Sequence, residues 1–235
     1  MNILITGASR GIGYELAQRF AEEENTHVIC ISRNHAKLEE LANKPTGNNS
    51  RVTPLVYDII DVMKEPGALK RQILGLVSPL DIIINNAGYL INKPFMDFTY
   101  QEAIDIFNTN FFAAAFLIQQ LKDLMIESDA RHIVNISSMG GFQGSSKFAG
   151  LSFYSAAKAA IANLTECLAE EFKKEGIRVN ALALGAVDTE MLHEAFPGFQ
   201  PPLKAKEMAE YVFDFARNGQ HYFNGKILPV STGTP

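Results

Sequence analysis

Residues 1–13 read MNILITGASRGIG. Asn2 to Thr6 is a short apolar run with strand character, and TGASRGIG at 6–13 is a glycine-rich turn opening a helix that runs to about Glu23. Gly7, Gly11 and Gly13 let the backbone turn tightly and approach a ligand closely, with Ser9, Arg10 and Ile12 between them. A helix N-terminus offers N–H groups and the positive end of its dipole to phosphate. The spacing is GxxxGxG rather than the GxGxxG dinucleotide fingerprint, so the turn by itself is also compatible with a plain tight turn. Its place between strand and helix is the informative part.

Outward from that turn, β-rich runs alternate with segments of helical periodicity. The strands are Asn2–Thr6, His27–Ser32, Val52–Tyr57, Asp81–Asn85, His132–Ser137, Arg178–Leu184 and Lys226–Val230. Several, such as ILI, VICI and DIII, are continuously apolar, as expected where both faces of a parallel sheet are covered. The pattern predicts an α/β fold: a doubly wound, seven-stranded parallel sheet with helices on both faces. No repeat or composition break divides the chain, so residues 1–235 are read as a single domain. The segment AFPGFQPPLK at 195–204 is either a connector or a mobile flap over a site.

Bulk properties narrow the function. The 235 residues carry a net charge of −5 with scattered basic residues, which offers no surface for tracking nucleic-acid phosphates. The N-terminus lacks the form of a secretion signal, and the longest apolar run, Phe111 to Ile118, is far shorter than the roughly 20 residues a membrane span requires. Cys30 and Cys167 fall in a strand and a helix, with no disulfide framework. The expectation is a cytoplasmic protein with no nucleic-acid or membrane partner and no metal site.

In a doubly wound fold the glycine turn lies where dinucleotides bind, and the end of the second strand discriminates between them. That strand ends Ser32-Arg33-Asn34, with no carboxylate to hold a ribose 2′-hydroxyl. Arg33 can pair with a 2′-phosphate, and Arg10 adds a second cation. NADP(H) is therefore expected in preference to NAD(H); the bland alternative is two solvated surface arginines.

Tyr154 and Lys158 lie four residues apart in FYSAAKAAIANLTECLAEEF, on one face of a helix. A neighbouring ammonium stabilises a phenolate and makes tyrosine a usable general acid/base. NNAG at 85–88 follows the fourth strand, ISS at 136–138 ends the fifth, and Asn110 sits in a long apolar helix. Strand alternation points Ser137 and Ser138 to opposite faces, leaving two serines to choose between.

Together TGASRGIG, NNAG, NTN, NISS, YSAAK and LGAVDT, in that order and spacing, resemble a classical short-chain dehydrogenase/reductase across essentially the whole chain. The resemblance implies a Rossmann fold and selects Ser138, which would hydrogen-bond the substrate oxygen while Tyr154 moves its proton. Lys158 would lower the tyrosine pKa and bind the nicotinamide ribose, and Asn110 would hold a water in the proton relay. Asp58 and the Ile59 backbone would meet adenine, with Asn85, Ala87 and Gly88 along its ribose; Val187 and Thr189 would hold the carboxamide. A homodimer or homotetramer, paired through the helices carrying Asn110 and Tyr154, is implied too.

The chain departs from the family at Leu184-Gly185, where Pro-Gly is usual, and in its closing PVSTGTP. It also carries extra residues between Ser138 and Tyr154, within MGGFQGSSKFAGLSF, expected as one wall of a pocket. Met139, Phe148, Leu151, Met191 and Phe196 are read as either pocket wall or core. The expected activity is hydride transfer between NADP(H) and a small carbonyl or alcohol substrate, 3-oxoacyl thioesters included. The competing readings are a nucleotide-sugar epimerase or dehydratase, which normally has a longer chain, and a non-enzymatic dinucleotide sensor, which usually loses the tyrosine or serine.

Overall fold

The computed structural model describes residues 1–232; the last residues of the PVSTGTP ending, 233–235, lie outside the described residues. The sheet strands are β1 (Asn2–Thr6), β2 (His27–Ser32), β3 (Arg51–Val56), β4 (Ile82–Asn85), β5 (His132–Ser138), β6 (Arg178–Leu184) and β9 (Ile227–Val230). They form one parallel sheet in the order β3-β2-β1-β4-β5-β6-β9. The edge strands each contain a proline, Pro54 in β3 and Pro229 in β9. Proline has no N–H for the ladder and is tolerated at an edge. All seven expected strands are present, with ends shifted by at most a residue.

Helices cover both faces. On one side α1 (Gly11–Ala21) and α9 (Ala205–Asn218) bury Phe20 against Phe213, rings 4.8 Å apart. On the other, α4 (Ala68–Leu74) and α6 (Ala113–Leu121) press Leu69, Ile73, Leu117 and Leu121 onto Leu4, Ile83 and Ile133. Strand residues alternate between these two cores, which is why the strands read as continuously apolar. The remaining helices are α2 (His35–Ala42), α3 (Asp61–Lys64), α5 (Tyr100–Phe107), α7 (Ser152–Glu171) and α8 (Glu190–Ala195). Among the described residues no helix is long and apolar enough to cross a membrane.

A small element was not foreseen: β7 (Val187–Asp188) pairs in parallel with β8 (Leu203–Lys204). It fixes both ends of the segment that holds α8 and AFPGFQPPLK.

Register brings Thr6, Ser32, Asn85, Ser138 and Leu184 to one edge of the sheet. Between β1 and β4 the strand order reverses, so the loops after them diverge and leave a crevice.

Candidate active site

The crevice is a cavity of about 980 Å³ running along the C-terminal edge of the sheet. Its first wall is the glycine turn. Gly7 and Gly11 have φ of 70° and 56°, the left-handed region that glycine enters without strain. A Cβ on Gly7 would lie 2.8 Å from the Ala87 Cα, so the two loops touch backbone to backbone. Gly7, Ser9, Arg10, Gly11 and Ile12 line the cavity, and no side chain caps the first turn of α1. That uncapped N-terminus fits a phosphate. Gly13 does not line it; a Cβ there would sit 2.4 Å from the Gly7 carbonyl oxygen, so Gly13 lets α1 pack under the turn.

The loop after β4 is joined to that turn by Thr6 and Asn86. Thr6 Oγ1 accepts from the backbone N–H of Asn86 and Ala87 at 3.1 and 3.0 Å, while Asn86 Nδ2 donates to the carbonyls of Thr6 and Gly7 at 3.0 and 3.2 Å. Ala87 and Gly88 line the cavity, as expected. Asn85 does not. It ends β4 as a buried residue and donates through Nδ2 to Asn135 Oδ1 at 2.8 Å, and Asn135 donates to Thr165 Oγ1 on α7 at 2.9 Å. The cavity-lining asparagine is Asn86, one residue later, where the chain has left the ladder.

At the far end Arg33, Asp58 and Ile59 line the cavity. Arg33 is well exposed and its guanidinium is 3.7 Å from the Asp58 carboxylate, which also accepts from the Ile60 N–H at 3.3 Å. Arg10 is engaged elsewhere, donating to Glu194 at 2.7 Å and Glu190 at 3.3 Å on α8. Both arginines expected at a 2′-phosphate thus hold carboxylates, and would have to exchange partners to reach one. On the opposite side Val187 and Thr189 line the cavity, and Thr189 caps α8 by accepting from the Leu192 N–H at 3.3 Å.

Ser138, Tyr154 and Lys158 meet at the centre. Ser138 Oγ accepts from the Gly140 N–H at 3.2 Å, and its hydroxyl is close enough to the Tyr154 phenol to favour the phenolate. Ser137 also lines the cavity, but its hydroxyl donates to the Lys158 carbonyl at 2.7 Å and holds α7 on the sheet. Gly141 lets the intervening turn pass flat against α7; a Cβ there would be 2.5 Å from the Lys158 carbonyl carbon.

Asn110 does not line the cavity. It lies in a π-helical turn, Asn108–Phe112, between α5 and α6, with Nδ2 donating to the carbonyls of Tyr89 and Ile106 at 2.7 and 2.8 Å and Oδ1 accepting from the Tyr89 N–H. It still borders the centre, because a Cβ on Gly88 would be 3.1 Å from Asn110 Oδ1 and 3.7 Å from Lys158 Nζ. Single π turns recur at functional sites.

Lys158 Nζ donates to the Ile136 carbonyl at 2.8 Å and sits 5.7 Å from the Tyr154 ring centre. Loss of water pushes the phenol up to about 12, opposed by the Ser138 hydroxyl, and brings Lys158 down to about 8. Burial thus raises the phenol, and Tyr154 is protonated at neutral pH, as a phenol at its ordinary pKa would also be.

Met139, Phe148, Leu151, Met191 and Phe196 all line the cavity. So do Tyr89, Leu90, Phe199 and Pro202, which the sequence reading left unassigned. AFPGFQPPLK is thus part of the wall, held by Asn92 Nδ2 donating to the Ala195 carbonyl at 2.8 Å.

The family model for short chain dehydrogenase matches residues 1–198. Ketoacyl reductase HetN from Nostoc sp. is 32% identical over 223 residues, covering 92% of this chain and 75% of that protein. A 3-oxoacyl-[acyl-carrier protein] reductase from Brucella melitensis is 28% identical, with a TM-score of 0.82 over 99% of this chain and 90% of that one; another structure under the same enzyme name and from the same organism carries bound NAD. ElxO with NADP bound has a TM-score of 0.84 at 25% identity, covering 97% of this chain and 96% of that one. The chain belongs to the short-chain dehydrogenase/reductase family of oxidoreductases.

Proposed function

We propose that the protein reduces a carbonyl compound to an alcohol with NADPH, Tyr154 giving the proton. The observation that carries this is the meeting of Ser138, Tyr154 and buried Lys158 in the same cavity as the glycine turn. When bound, the reduced cofactor supplies the hydride. Ser138 holds the carbonyl oxygen, and Tyr154 transfers its proton to that oxygen as the alcohol forms. A phenol held protonated at neutral pH is already the acid that this direction needs. Lys158 and the Asn110 turn border the route by which the phenol is reprotonated.

Gly7, Ser9, Gly11, Ile12, Ala87 and Gly88 would hold the dinucleotide along its phosphates and ribose, with Asp58 and Ile59 at the adenine end and Val187 and Thr189 at the carboxamide. Arg33, next to a strand end without a carboxylate, supports NADP(H) over NAD(H), and Arg10 would join it on leaving Glu190 and Glu194. Phe112 and Phe116 are partly exposed on the Asn110-bearing stretch, one of the two helices expected at a two-fold interface, in keeping with a homodimer or homotetramer; a cytoplasmic location is part of the same reading.

The test is oxidation of NADPH and NADH across ketones, aldehydes, quinones and 3-oxoacyl thioesters, beside Tyr154→Phe. Turnover with NADPH that falls by about 100-fold or more in the variant is expected. NADPH binding with no turnover of any compound overturns the proposal in favour of a dinucleotide sensor.

A further inference from the structure

Resting on that reading, we infer that the substrate end of the cavity takes an uncharged, apolar carbonyl compound and turns away those bearing a carboxylate or phosphate. Outward from Tyr154 and Ser138 the wall is Leu90, Phe148, Leu151, Met191, Phe196 and Phe199. Phe148 and Phe199 are exposed at the mouth, so the apolar surface continues to solvent.

An anionic substrate needs a cation to meet it, and the cations around this mouth are engaged. Lys147 donates to the Phe142 carbonyl at 2.6 Å and to Ser145 at 2.9 Å. Lys93 is paired with Glu102 at 2.7 Å. Lys158 donates to the Ile136 carbonyl beneath Tyr154. Arg10 faces two carboxylates, Glu190 and Glu194, so that cluster is negative in sum, and Glu190 itself lines the cavity. If Arg10 turns to a cofactor phosphate, both carboxylates remain at the rim. An incoming anion meets like charge outside and low-dielectric apolar wall inside, and both disfavour it.

The test is a matched pair differing in charge: para-acetylbenzoate and its methyl ester, each titrated calorimetrically into the NADP-loaded protein at neutral pH and then assayed for reduction. The ester is expected to bind at least tenfold more tightly, and Phe148→Arg, at an exposed wall position, to bring the carboxylate up by about tenfold with NADPH affinity unchanged. Equal or tighter binding of the carboxylate by the unaltered protein overturns the inference, as does a Phe148→Arg protein that leaves the preference where it was. An ester that binds tightly but is never reduced refutes carbonyl reduction and upholds the apolar pocket; reduction with a preference for the carboxylate does the reverse.

Discussion

Lys158→Met removes the ammonium while keeping most of the stem. Lys158 is 3% exposed, and burial brings it from 10.5 to about 8. At about 1.36 kcal/mol per pKa unit, holding the charge at pH 7 costs the native state about 3.4 kcal/mol relative to the unfolded chain. The variant gives up the bond to the Ile136 carbonyl, worth about 1.5 kcal/mol for a charged donor. The balance is a stabilisation of about 2 kcal/mol, or a Tm higher by about 4–8 °C for a chain of this size. The sign reverses with pH. Between about 8 and 10.5 the unfolded chain binds more protons than the native one, so the wild type gains stability as pH rises through that window. The variant's advantage fades there, vanishes at about pH 9.5 and is reversed by about pH 10. Calorimetric unfolding of both proteins at pH 7 and pH 10 checks this, with carbonyl reduction lost in the variant as the functional counterpart. A variant less stable at pH 7, or a difference unchanged at pH 10, refutes the burial argument.

Asn135→Ala leaves Asn85 Nδ2 and Thr165 Oγ1 without their shared partner in a fully buried site, and unfolding by denaturant should show a loss of about 3 kcal/mol. Asn85→Ala should cost less, because it also deletes the Asn85 Oδ1, a buried atom with no hydrogen-bond partner, and fluorescence titration should find NADPH affinity unchanged. Asn86→Ala, which unties the glycine turn from the β4 loop, should weaken NADPH about tenfold or more in the same titration. Arg33→Ala should cut the preference for NADPH over NADH by about tenfold, read from the ratio of kcat/KM values, and an unchanged ratio would remove Arg33 from 2′-phosphate recognition.

The architecture was legible because its signals are local. Continuous apolar runs marked strands covered on both faces, and the glycines sat where backbone had to approach backbone. The asparagine pair was harder. Asn85 and Asn86 are the same residue type side by side, and the resemblance pointed to Asn85, whereas Asn86 lines the cavity. A polar residue within an otherwise apolar strand was the usable signal: Asn135 in β5 needed a buried partner, and the ladder pairs it with Asn85. For Ser137 and Ser138 the motif made the choice; both line the cavity, and Ser137 spends its hydroxyl on the Lys158 carbonyl. The β7–β8 pairing escaped because two residues carry no periodicity, and the link joins strands 14 residues apart through backbone alone.

The tyrosine pKa escaped for a different reason, and it connects the chemistry to the choice of substrate. Spacing shows that Lys158 stands one turn from Tyr154, but not how much water either group retains. The dry surroundings push the phenol up and the ammonium down, so each drifts toward its neutral form. The low dielectric that does this continues into the wall of Leu151, Met191 and Phe196, where a substrate carboxylate would suffer the same penalty. A site dry enough to raise its phenol in this way disfavours charged substrates too, unless it spends a cation on them. Around this mouth Lys93, Lys147 and Arg10 are already taken. On the proposed reading, the raised phenol and the preference for a neutral carbonyl compound follow from one burial, and a variant that lets water reach Tyr154 should lower the phenol pKa and relax the preference together.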